Sequence, residues 1–307
     1  MKKIVLYIQT SGNEIFQRNT KALMDGYRRI ISKYNLNIDI KSVCGVYPDR
    51  EYFEDIVFWD INDKDICAVN FEAVKMLVDM DYDVIVKTNT NTVVNLQLLQ
   101  AYCDCPYFEP TSVYTNIVMN PNTADYPEEI IQKYTFPNGM FIMASKDAWK
   151  AALEHFDDAV EIADKYFLRD VSINHGNPEC EHISKQSSTY WSGYCDDFMM
   201  GMCFNAAGFR KKIMLRNSTI SLDKLDNFGN IVGDSLHDDI NETYLVINCK
   251  MDNEYPDTSI TYKGSYEEWF RTQYEHYMIT TICKIFEVYK PTQNDLDVLC
   301  GDIWWFE

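Results

Sequence analysis

The chain has 307 residues, 46% of them hydrophobic and 14% aromatic, which is enough to bury a sizeable core and too aromatic for intrinsic disorder. Its formal net charge of −19 argues against a nucleic-acid or anionic-membrane partner. Ten cysteines are scattered along it, Met1-Lys2-Lys3 leads into only five apolar residues, and no apolar run approaches a membrane span. The thiols are therefore expected to be reduced and mostly buried in a cytoplasmic setting, and the sequons at Asn217 and Asn241 to be chance matches.

In chain order, Ile4-Val-Leu-Tyr-Ile8 reads as a buried strand that ends in the polar loop Gln9-Thr10-Ser11-Gly12. A helix is expected from about Thr20 to Tyr34, with Leu23, Tyr27, Ile30, Ile31 and Tyr34 on one face. Ile38 to Val46 reads as a second strand, Val69 to Met80 as a helix, and Asp83 to Lys87 as a third strand. This alternation predicts an α/β fold with a mainly parallel sheet and helices on both faces. Ligands of such sheets bind beyond the carboxyl ends of the strands, which marks the loops Gln9 to Gly12 and Thr88 to Thr92.

No linker separates the second half. Gly139 to Ala144 reads as a short strand, and Ser145 as the cap of a helix with Asp147 in its first turn. Asn174 to Tyr194 is polar and irregular. Asp196-Asp197 opens a helix, Phe198 to Ala207, closed by Gly208. A late helix is expected at Ser265, with Glu268 completing a capping box. There is no internal repeat.

Three segments carry a resemblance. Phe71-Glu-Ala-Val-Lys75 followed by Asp81-Tyr-Asp-Val-Ile-Val-Lys-Thr-Asn-Thr-Asn-Thr-Val-Val-Asn95 resembles the helix and "Asp-Tyr-…-Lys-Thr-Asp-Asp-Asp" strand of β-1,3-galactosyltransferase-like enzymes. Tyr134-Thr-Phe-Pro-Asn-Gly-Met-Phe-Ile-Met-Ala-Ser-Lys-Asp147 is similar to their "Tyr-x-x-Gly-x-x-Tyr-x-x-Ser-x-Asp" turn. Cys195-Asp-Asp-Phe-Met-Met-Gly-Met-Cys203 is similar to their "Glu-Asp-Val-x-x-Gly" helix. A vaguer fourth match involves Cys249-Lys250 and Arg271. The resemblance spans roughly Phe71 to Phe209. It implies a GT-A glycosyltransferase domain over residues 1–307, with a donor-binding half to about residue 145 and an acceptor half from about 146.

One departure is informative. Where these enzymes place metal-binding carboxylates, this chain has Asn89-Thr90-Asn91. Neutral amides are poor ligands for Mn²⁺ or Mg²⁺. In this the chain looks closer to bacterial and large-virus relatives; for a viral chain the expected cytoplasm would be the host's. The expectation is catalysis without a metal cofactor, with Mn²⁺ or Mg²⁺ held by Asp196, Asp197 or His237 as the fallback.

What the resemblance implies for the site is a nucleotide-sugar donor, UDP-linked, and a glycan or glycoconjugate acceptor. Thr10 and Ser11 would approach the nucleoside; Asn89, Asn91, Asn138 and Gly139 would line the donor sugar and diphosphate. Lys250 and Arg271 would offset diphosphate charge, and Lys87 is a third cation, unless its strand position places it in a structural ion pair. Asp197 would be the general base of an inverting transfer, while Asp196 reads as an N-cap or second catalytic carboxylate. Tyr190 and Trp191 would form an acceptor wall. The alternatives are a catalytically inactive nucleotide- or glycan-binding relative and a nucleotidyltransferase. His175, Cys180 and His182 lack a second ligand pair for zinc, and Cys103-Asp-Cys105 reads as two buried thiols at a helix end rather than a redox pair.

Overall fold

A computed structural model describes residues 1–10, 14–46, 56–62, 66–115, 118–119, 135–166, 196–213, 217–221, 245–250 and 305–306. Its strands are β1 (Ile4–Gln9), β2 (Ile38–Val46), β3 (Ile56–Asn62), β4 (Val84–Asn89), β5 (Thr92–Val94), β6 (Ser112–Thr115), β7 (Val118–Met119), β8 (Phe136–Pro137), β9 (Phe141–Ser145), β10 (Arg210–Ile213), β11 (Asn217–Ser221), β12 (Val246–Lys250) and β13 (Trp305–Phe306). The helices are α1 (Glu14–Tyr34), α2 (Ile66–Val78), α3 (Leu96–Asp104), α4 (Lys146–Glu154), α5 (Phe156–Tyr166) and α6 (Asp196–Ala206).

Eight strands form one sheet in the order β13-β10-β6-β9-β4-β1-β2-β3. The half from β4 to β3 is parallel throughout; β9 runs antiparallel to both β4 and β6, and β6 pairs parallel with β10. The expected α/β sheet is present, parallel on one side and mixed on the other. Strands β10 and β13 belong to the same sheet as β1 to β4, so early and late parts of the chain share one framework.

Alternation along the strands explains the two layers. Ile4, Leu6, Ile8, Val84 and Val86 face α1 and α3, packing on Leu23, Tyr27, Leu99 and Tyr102. Val5, Tyr7, Ile85, Ile142 and Ala144 face the other way, onto α2, α4 and α6 through Phe71, Trp149, Met199 and Phe204. The indole of Trp149 donates to the Ile85 carbonyl at 3.0 Å, tying α4 to β4.

Both helix stops follow from local chemistry. At the end of α6, Gly208 adopts φ +76°, the Phe209 N–H reaches the Phe204 carbonyl, and the two rings meet edge to face at 6.0 Å. These are the left-handed residue, the six-to-one hydrogen bond and the apolar contact of a Schellman stop. Asn35, at φ 51°, ends α1 in the same way, with the Leu36 N–H on the Ile31 carbonyl.

Several expected bounds shift. α1 begins at Glu14, not Thr20; its first turns carry helix-favouring Glu, Gln and Arg but no clear apolar period to read. β4 runs past Lys87 to Asn89, so the marked loop shrinks to Thr90-Asn91. Ser145 caps α4 as expected, accepting the Ala148 N–H. The late helix at Ser265, the segment Asn174 to Tyr194 and the zinc candidates lie outside the described residues.

Candidate functional site

The sheet reverses its order between β1 and β4: β2 and β3 extend it to one side, β9 and β6 to the other. The crevice beyond the carboxyl ends at such a switch point is where open α/β sheets take ligands. Gln9 and Asn89 stand opposite one another at those two ends. Because β9 is antiparallel to β4, its start is there too, with Phe141 opposite Thr88. The turn before β9, Asn138-Gly139-Met140, is thereby delivered to the end of β4.

Asn138 shapes that turn. Its Oδ1 accepts the Met140 N–H at 2.9 Å, and its carbonyl accepts the Phe141 N–H at 3.3 Å, the local side-chain bonding that suits Asn to turns. Gly139 then lies against the first turn of α6, where its N–H donates to Asp197 Oδ2 at 3.1 Å. Asp197 Oδ1 also accepts the Phe198 N–H at 2.9 Å. The Asp197 carboxylate sits half-buried beside the end of β4.

Asp196 behaves differently from the N-cap expected of it. It is the first residue of α6, and its Oδ2 lies 2.8 Å from Lys87 Nζ and 2.9 Å from Asn70 Nδ2. The reason is geometric: Lys87 alternates onto the face that α6 covers, and its side chain is 1% exposed. A buried ammonium needs a counter-charge and acceptors. Asp196 supplies the charge, and the Gly139 carbonyl accepts from Nζ at 2.6 Å. Lys87 is therefore in the structural ion pair expected as its alternative role, with its side chain buried.

Two residues of this cluster carry no sequence motif. Asn70 lies fully buried in α2, its Nδ2 also bonded to the Ile66 carbonyl; an Asn inside the apolar run Ile66 to Phe71 was its only signal. Tyr7 stands opposite Lys87 in the strand register, and its hydroxyl has no hydrogen-bond partner. Burial, and then the nearby Asp196 charge, push that phenol well above its ordinary pKa, so it remains a neutral hydroxyl.

The remaining candidates divide. Thr10 is 1% exposed; its Oγ1 accepts from Thr20 Oγ1 at 3.0 Å and its carbonyl from Gln9 Nε2 at 3.0 Å. Asn89 and Asn91 are half-buried at the tip of β4; Asn89 Oδ1 is buried without a partner, and Asn91 Oδ1 accepts from Thr92 Oγ1 at 3.4 Å. Lys250 ends β12, which pairs antiparallel with β5, Asn248 opposite Thr92. That register carries the backbone at Lys250 past Thr92, toward the Thr90-Asn91 turn. Ser11, Tyr190, Trp191, His237 and Arg271 lie outside the described residues.

The chemistry of the donor set can be weighed against the divalent ion of the resembling enzymes. Asn89 and Asn91 offer two amides, the Asp196 carboxylate is paired with Lys87, and the Asp197 carboxylate accepts from two backbone amides. Among the described residues, no three His, Cys, Asp or Glu side chains converge as ligands. Hard divalent cations take several oxygens, usually with carboxylates among them; the two amides with a lysine-paired Asp196 do not by themselves make such a set. Cys103 and Cys105, at the end of α3, are in no disulfide; the first is buried and the second partly so.

No helix among the described residues is long and apolar enough to cross a membrane. No protein-family model matches the chain, and no curated protein matches it. Among solved structures it is similar to the crystal structure of a glycosyltransferase involved in the glycosylation of the major capsid of PBCV-1, with a TM-score of 0.38 and 9% sequence identity, over 90% of this chain and 98% of that chain. Identity at that level assigns no residue a role.

Proposed function

We propose that the chain is a glycosyltransferase that moves a sugar from a nucleotide-sugar donor, UDP-linked, to an acceptor hydroxyl, with inversion and without a metal ion. One observation carries the reading: the Asp197 carboxylate, the Asn138-Gly139 turn and the Asn89-Thr90-Asn91 tip converge at the carboxyl end of β4, beside the switch point of the sheet. The ordered motifs from Phe71 to Phe209 support it independently.

In this reading the donor lies across the ends of β1 and β4. Thr10, with its hydroxyl held by Thr20, builds the floor under the nucleoside, and Ser11 adjoins it. The amides of Asn89, Asn91 and Asn138 contact ribose, diphosphate or sugar, and Gly139 lets backbone approach the ring. Lys250 and Arg271 meet the diphosphate; the register of β12 against β5 favours Lys250. Tyr190 and Trp191 face the acceptor. Asp197 takes the proton of the acceptor hydroxyl, whose oxygen attacks the anomeric carbon. The bond to the diphosphate oxygen breaks, its electron pair leaves with the nucleoside diphosphate, and the cations stabilise that charge. The donor half is the part to about residue 145, the acceptor half the part beyond.

The test is release of nucleoside diphosphate from a panel of nucleotide sugars, with and without acceptor saccharides and excess EDTA. Turnover of at least one donor that survives EDTA is expected. Strict dependence on a divalent ion would remove the metal-free part. Nucleotide binding without turnover of any donor would favour a non-catalytic binding module, the reading to which the amide-for-carboxylate change at Asn89-Thr90-Asn91 lends itself.

A further inference from the structure

Gly139 is held at both ends of its backbone by side chains. Its carbonyl accepts from Lys87 Nζ at 2.6 Å, and its N–H donates to Asp197 Oδ2 at 3.1 Å. A Cβ at this position would stand 3.1 Å from Lys87 Nζ, 3.1 Å from Asp197 Cβ and 3.3 Å from Asp197 Oδ2. The fit is closed on both sides, so a displacement of Lys87 is transmitted to Asp197 through one residue. Lys87 is itself fixed by Asp196, and Asp196 by Asn70 on a separate helix.

We propose that Lys87 is a positioning residue: through the Gly139 backbone, the buried Lys87–Asp196 pair sets the place and the ionisation of the Asp197 carboxylate. A packing role alone does not call for these charges. Apolar residues of similar volume commonly replace a buried ion pair without loss of stability. What an apolar residue cannot do is donate to the Gly139 carbonyl and hold that turn against α6. The Gly139 N–H on Asp197 favours the carboxylate form, the form a general base must start from. Asp196, neutralised by Lys87, is by the same geometry a positioning carboxylate rather than a second base. The proposal rests on the reading of Asp197 as the base.

The experiment compares the wild-type protein with the double variant Lys87→Met/Asp196→Asn by NMR. The new Asn keeps an acceptor for Asn70, and no charge is left buried. Hydrogen exchange is followed at the Gly139 amide, with Val86 in β4 as the reference, and the Asp197 carboxyl is titrated through its ¹³C shift. With Val86 still protected, the Gly139 amide should exchange roughly ten-fold faster or more, and the Asp197 midpoint should change. Failure of either change in the folded variant overturns the proposal. Should the variant not fold, the wild-type protein decides: the Lys87 ammonium hydrogens should exchange slowly and show coupling across the hydrogen bond to the Gly139 carbonyl carbon. A rapidly exchanging Lys87 ammonium overturns the proposal as well. Neither readout needs a sugar donor, so an absence of turnover in the donor panel and a failure of this proposal are separate results.

Discussion

Lys87 and Asp196 come from β4 and from the first turn of α6, and their charged atoms meet at 2.8 Å with the lysine side chain 1% exposed. Breaking such a pair from one side leaves an uncompensated buried charge, at a cost of about 3–5 kcal/mol. Asp196→Ala should therefore lose far more stability than a helix cap alone would explain, about 0.5–2 kcal/mol. Urea unfolding measures it. A loss inside the capping range would mean that water reaches Lys87.

Asp197 separates chemistry from folding. Its half-buried carboxylate accepts from the Gly139 and Phe198 backbone amides. Asp197→Asn keeps an acceptor oxygen for one of those two amides, sets its NH2 against the other, and cannot take a proton. Transfer should fall by about 10²–10⁴-fold, while stability falls by no more than about 1–3 kcal/mol for the lost hydrogen bond and nucleotide affinity stays near wild type. Full transferase activity in this variant would leave the base unassigned.

Gly201 marks a tight approach of α6 to β8. A Cβ there would lie 2.3 Å from Phe136 Cβ and 2.9 Å from Pro137 Cδ. Ala is better than Gly in a helix by about 1 kcal/mol, but overpacking costs about 1–3 kcal/mol, and at this separation the clash dominates. Gly201→Ala should be net destabilising in urea. A stabilised variant would show that β8 yields freely.

Alkaline pH should unfold the protein through its phenols. Tyr82 donates to Asp39 Oδ2 at 3.0 Å, and burial first, then that hydrogen bond and the Asp39 charge, push its pKa up to about 12. An unfolded tyrosine titrates near 10. Between about pH 10 and 12 the unfolded chain loses a proton that the folded chain keeps. The contribution is thus fully present below about pH 10 and is lost as pH rises toward 12. Tyr82→Phe should flatten this slope while losing about 1 kcal/mol at neutral pH with the hydrogen bond. Unfolding midpoints measured across that window check both; an unchanged slope would place the effect on Tyr7 and Tyr114, whose phenols are also raised by burial.

Sequence patterns carried the framework where one period dominated. β2 was legible over Ile38 to Val46, and the α6 stop at Gly208 followed from a glycine after an apolar helix. α3 was missed, although Asn95 caps it through the Leu98 N–H; only that one polar residue separates its apolar residues from the short β5. β12 could not be placed by local pattern because it lies between β11 and β5, the latter far back in the chain. In the site, Asp196-Asp197 and Asn138-Gly139 were visible as motifs. Which aspartate met Lys87 was not, since that depends on how α6 rotates against β4. Asn70 and Tyr7 were hidden because each looked like one member of an apolar element.

The separation of Lys87 from Asp196 also has a meaning in time. They are 196 − 87 = 109 positions apart, so on a ribosome adding about 5–20 residues per second the lysine is made about 5–20 s before its counter-charge. During that interval most of the apolar layer of β1, β4, α1 and α3 is made, Leu245 and Val246 excepted. Closing the opposite face then would bury an ammonium without its anion, at a cost of several kcal/mol. The nascent chain therefore carries a lysine whose counter-charge is still to come, and the arrival of α6 supplies it.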